Sequence, residues 1–82
     1  MEYGRVLERR VDVVLWDLDL LARDGGSLGS AREIWEIKQR LMDVRRAIYR
    51  QPGELIGSDF VAQLNETCEW ARDRIAAIRR TP

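Results

Sequence analysis

Histidine is absent from the 82 residues, and cysteine occurs once, at Cys68. The missing histidine takes away the side chain that most often serves as general base and as metal ligand. With it go the Ser-His-Asp and Cys-His arrangements of nucleophilic catalysis and any structural zinc site built from Cys and His. A lone cysteine forbids an intrachain disulfide, which fits a reducing, cytoplasmic setting. No apolar run approaches the roughly 20 residues of a membrane span, and residues 1–10 hold no stretch of signal-peptide length; a soluble chain is expected. Neither GxGxxG nor GxxxxGK[ST] occurs, and Gly25-Gly26-Ser27-Leu28-Gly29 follows a helical segment rather than a strand, so a phosphate cradle is not expected. An EF-hand loop is missing as well. No cofactor and no resident metal are implied.

Lysine is scarce too: Lys38 stands alone beside 13 arginines. Arginine's planar fork makes fixed, bidentate contacts with carboxylates, so the bias suits interhelical ion pairs; a GC-rich coding sequence would leave the same mark. The 14 basic and 14 acidic residues cancel, and no global field favours nucleic acid or an anionic membrane. Small domains usually keep net charge for solubility, so neutrality leans toward association. At this length one domain, 1–82, is expected, with a core small enough to gain from a partner.

What the chain does contain is helical rhythm. Gly25-Gly26 and Pro52-Gly53 divide it into three segments near 3–24, 31–51 and 59–80. Leu7, Val11, Val14, Leu18 and Leu21 step by fours and threes, as do Ile34, Ile37, Leu41, Val44 and Ile48, and then Val61, Leu64, Cys68, Ala71, Ile75 and Ile78. Such spacing places each set on one helix face, whereas a strand needs period two. Ser30 and Glu33 have the spacing of a capping box, Ser58 or Asp59 can cap the third helix, Gly25 can end the first and Pro52 cannot continue the second. Asp19 with Arg23 and Glu36 with Arg40 are i,i+4 pairs. Three matched helices joined by short connections predict an all-α fold, an up-down-up antiparallel three-helix bundle. Each helix touches two neighbours, so its apolar face must be broad; Val6, Val13 and Leu20, then Trp35, Met42 and Tyr49, then Trp70 and Ala77 can widen the three stripes.

Cys68 lies on the core rhythm and reads as a small buried hydrophobe. The rows Glu8, Asp12, Asp19 and Asp17, Asp24 read as a solvated acidic face, with weak Mg²⁺ binding through waters as the functional reading. Arg45, Arg46 and Arg50, with Arg79 and Arg80, answer the helix dipoles more readily than they grip nucleic acid. The stripe Trp35, Met42, Tyr49 has two readings: half of the core, or a face for a partner helix, since Trp, Tyr and Met favour interfaces.

The second segment, Arg32-Glu33-Ile34-Trp35-Glu36-Ile37-Lys38-Gln39-Arg40-Leu41-Met42-Asp43-Val44-Arg45-Arg46-Ala47-Ile48-Tyr49, resembles a soluble helical region of CorA-type magnesium transporters. Val6-Leu7-Glu8-Arg9-Arg10-Val11-Asp12 and Ser58-Asp59-Phe60 fit the same helical order. The family's membrane spans and Gly-Met-Asn pore signature are missing, so the resemblance implies a regulatory, cation-sensing piece and carries no functional residue over. The leading expectation is a non-enzymatic protein-protein interaction module. It would self-associate, or dock a partner helix, through Trp35, Met42, Tyr49 and Arg46, since hot spots are typically Trp, Tyr and Arg. The remaining alternative is a small helical enzyme holding an anionic substrate through Arg10, Lys38 and Arg46.

Overall fold

Each of the three apolar rows folds as a helix in the computed structural model, which describes residues 2–24, 28–50 and 57–80. Helix α1 is Glu2–Arg23, α2 is Leu28–Arg50 and α3 is Ser58–Arg80. Every pair of helices is in contact.

The cross-links between helices fix their directions. Arg45 of α2 reaches Asp12 and Glu8 of α1, and Tyr49, one turn later, reaches Glu8. Residue numbers rise on one helix as they fall on the other, so α1 and α2 are antiparallel. Arg10 bonds Asn65 while Asp17 accepts from Arg79, so α1 and α3 run parallel. Arg74 bonds Glu33 and Arg40 covers Trp70, so α2 and α3 are antiparallel. The result is an all-α, up-down-up three-helix bundle.

All five expected core residues of α1 are buried; so are Ile37, Leu41 and Ile48 of α2 and Leu64, Cys68, Ala71, Ile75 and Ile78 of α3. Ile34, Val44 and Val61 are half-buried against this core, together with Leu15, Phe60 and Trp70. Fully burying one Leu or Ile contributes about 1.5–3 kcal/mol before the entropy of ordering the chain is set against it. Among the described residues no polar or charged side chain is buried, and no buried side-chain nitrogen or oxygen lacks a partner. The core is therefore uniformly apolar; the charged contacts between helices sit at its seams, and Arg32–Glu36 and Arg46–Asp43 are exposed pairs within α2.

Four local expectations need correction. Helix α2 begins at Leu28, so Ser30 lies inside the first turn rather than at the boundary, and Glu33 accepts from Arg74. Helix α3 takes its first backbone bond from Val61 N–H to the Gly57 carbonyl, which makes Gly57 the capping residue and puts Ser58 and Asp59 in the first turn. There Asp59 still favours the dipole. Glu36 pairs backwards with Arg32 at 3.5 Å, because Arg40 is turned onto Trp70. Asp19 and Arg23 make no ion pair among the described residues. Gly25 and Pro52, the expected stops, lie outside the described residues.

The largest correction concerns how the stripes widen. Val6, Val13 and Leu20 are exposed, as are Trp35, Tyr49 and Ala77. Helix α1 widens its buried arc in the other direction, through Leu15 toward α2. On its α3 side the seam is closed by the polar reach of Arg10 to Asn65 and of Arg79 to Asp17. Val6, Val13 and Leu20 sit beyond that seam, with no helix above them.

Candidate interaction surface

At 3.6 residues per turn, Val6, Val13, Trp16 and Leu20 fall within an arc of about 80° on α1, facing away from the core. All four are exposed, Val13 at 51% and Trp16 at 69%. Single exposed hydrophobics are ordinary, whereas a continuous row of them marks an interaction site. The row lies along an open surface groove of about 900 Å³ that includes Arg5, Val6, Arg9, Val13 and Trp16. A second depression continues it past Val13, Trp16 and Leu20, with Arg72 of α3 on its far wall.

On α2, Trp35 is 60% and Tyr49 63% exposed, while Met42 between them is half-buried. Of the two readings of this stripe, the geometry places its aromatic members at the surface. They do not form one unbroken face. Tyr49 is committed to α1: its hydroxyl donates to Glu8 at 2.5 Å, and this bond to the carboxylate raises the phenol above its ordinary value. Arg46 pairs with Asp43 one turn back, at 3.1 Å. The structure thus leaves Trp35 as the freest aromatic of α2.

Between these two surfaces sits an ion-pair cluster. Arg45 donates to Asp12 at 2.8 Å and to Glu8 at 3.1 Å, and its guanidinium lies over the Tyr49 ring, 5.6 Å from the centroid. The Asp12 hydrogen bond holds Arg45's proton more firmly than usual, outweighing the opposing effect of desolvation. Two carboxylates at i,i+4 repel on an isolated helix. Here they are one clamp, and the guanidinium that closes it comes from α2. On the opposite seam Trp70 is half-buried beneath Arg40, 4.6 Å from its centroid, with Arg74 at 6.0 Å. Both are cation-π contacts; the Arg40 contact joins α2 to α3, whereas Arg74 lies one turn along α3 from Trp70 itself.

The other sequence candidates are dispersed. Glu8 and Asp12 are held by Arg45 and Asp17 by Arg79, and no group of three or more His, Cys, Asp or Glu able to hold a metal ion occurs among the described residues. Because α2 and α3 are antiparallel, the arginines ending them lie at opposite ends of the bundle rather than in one patch. Arg10 turns to α3 and Arg46 pairs on α2, while Lys38 is exposed; these three share no contact among the described residues. Cys68 is buried, and desolvation pushes its thiol up. No described helix is long and apolar enough to cross a membrane.

The α1 row was missed as a surface because Val6, Val13 and Leu20 precede the core residues Leu7, Val14 and Leu21 by one position each. A stripe with that offset is buried or exposed according to where the neighbouring helix lies. Trp16 falls outside both stripes, and that position is the sequence signal that could have marked the surface. No family model, curated protein or solved structure matches the chain.

Proposed function

We propose that this chain is a non-enzymatic helical interaction module that self-associates by covering its exposed apolar surface. The observation that carries this reading is the display of six large hydrophobic side chains on a bundle of 82 residues: Val6, Val13, Trp16, Leu20, Trp35 and Tyr49 are each at least 44% exposed. Tryptophan and tyrosine are the residues that most often carry binding energy when an interface closes over them. The neutral net charge removes the repulsion that would keep copies apart.

Tryptophan fluorescence tests it. Two of the three tryptophans, Trp16 and Trp35, face solvent in the single chain. Raising the concentration a hundredfold is expected to shift the emission maximum to shorter wavelength as indoles leave water. An unchanged spectrum with an unchanged hydrodynamic radius across that range refutes self-association.

A further inference from the structure

We infer that the α1 stripe is a two-fold self-interface in which α1 of one copy packs antiparallel on α1 of a second. This rests on the reading of the chain as a self-associating module and assigns it a surface and a geometry. Three observations support the pairing. Val13 stands midway in the stripe, with Val6 seven residues before it and Leu20 seven after. A two-fold axis through Val13 therefore sets Val6 of each copy against Leu20 of the other, the self-complementary arrangement that an isologous contact requires.

Trp16 lies three residues past the axis. In the antiparallel register it falls at the level of residue 10 of the second copy, between Val6 and Val13, where the open groove of about 900 Å³ runs. Its indole fills that groove, with Arg9 placed for a cation-π contact. This gives the most exposed large hydrophobic among the described residues, at 69%, a defined receptor.

Charge fixes the direction. Arg5 and Arg9, in the first half of α1, make no ion pair among the described residues, and neither do Asp19 and Asp24 in the second half. Arg5 and Asp19 lie on the same flank of the stripe, so antiparallel packing brings each Arg5 to the Asp19 of the other copy, twice per dimer. Parallel packing would oppose like charges. Asp12, which would approach its own copy near the axis, is already held by Arg45. The stripe spans about 21 Å of helix, which places the interface toward the small end of specific contacts, about 1,200 Å² in total, and makes the dimer a reversible one.

The test uses the full chain and light scattering coupled to size exclusion. Val13→Arg and Val13→Asp, each at an exposed position, are expected to fold by circular dichroism and to remain monomeric at concentrations where the unaltered chain is dimeric. Mixed in equal amounts, they regain the dimer mass. Arg5→Asp and Asp19→Arg repeat the logic away from the axis: each alone weakens association severalfold, and the mixture restores it. For direction, Val6→Cys mixed with Leu20→Cys is expected to form an intermolecular disulfide, and Val6→Cys alone is not; buried Cys68 stays out of the exchange. A dimer insensitive to both sets of substitutions overturns the α1 interface and leaves the self-associating module standing on another face. Crosslinking by Val6→Cys alone overturns the antiparallel direction. A monomeric unaltered chain overturns both readings.

Discussion

Replacing Leu41 by alanine should destabilise the bundle several times more than replacing Trp35, although tryptophan is the larger side chain. Leu41 is completely buried and Trp35 is 60% exposed. Leu41→Ala removes about three methylene equivalents at about 0.8 kcal/mol each. Partial relaxation around the resulting cavity adds to this, and the cost rises to about 3–4 kcal/mol. A domain of this size has a total stability of only about 4–12 kcal/mol, so one substitution consumes a large part of it. With a melting temperature falling about 4–8 °C per kcal/mol in small domains, Leu41→Ala is expected to melt about 12–32 °C lower. Trp35→Ala removes a side chain that is largely in water already, and surface substitutions usually stay within about 0.5 kcal/mol. Thermal unfolding by circular dichroism, at a concentration low enough to keep the chain monomeric, reads both. Comparable losses for the two variants would put Trp35 in the core and refute the assignment of the outer arc of α2.

Three further outcomes follow from the seams. Arg45→Met removes two partly buried ion pairs and leaves Glu8 and Asp12 facing each other without a cation, a loss of about 1–2 kcal/mol; chemical denaturation should show the loss shrinking in high salt, with Arg45→Lys recovering part of it. Trp35→Ala combined with Tyr49→Ala should leave the fold intact, at a cost of about 1 kcal/mol for the Tyr49–Glu8 bond, as urea unfolding will show. The Cys68 thiol and the Tyr49 phenol are both held protonated beyond their ordinary values in the folded chain. Folding therefore binds those protons more tightly than the unfolded chain does, so the stability they contribute is full below the ordinary pKa values and is lost as pH rises through the folded ones. Alkylation of Cys68 at pH 8 should be slow until denaturant is added, and an ultraviolet titration should show a late-ionising tyrosine that moves earlier in Glu8→Gln.

The buried side of this fold was legible because a 3/4 rhythm converts directly into an angle on a helix. Leu7, Val11, Val14, Leu18 and Leu21 needed no partner to be assigned inward. The outer arc was not legible, and for one physical reason. Val6, Val13 and Leu20 precede core residues by one, and Trp35, Met42 and Tyr49 follow core residues by one. Whether such a position is covered depends on which side the next helix occupies, and that is a property of the bundle rather than of any single helix. Leu15 shows the point: it lies on the covered side of α1 and is packed, while Val13 lies on the open side. The Arg45 clamp was half visible. Glu8 and Asp12 one turn apart are unfavourable by themselves, which asks for a cation between them, but only the antiparallel register of α1 and α2 identifies it as Arg45.

The central claim is that the exposed apolar surface is covered by a second copy of the chain. The mass of the unaltered protein in solution, by light scattering coupled to size exclusion over a hundredfold range of concentration, tests it most directly. The account predicts a mass that rises from 9.6 kDa toward twice that value as concentration increases. A mass fixed at that of the single chain across the whole range would contradict it.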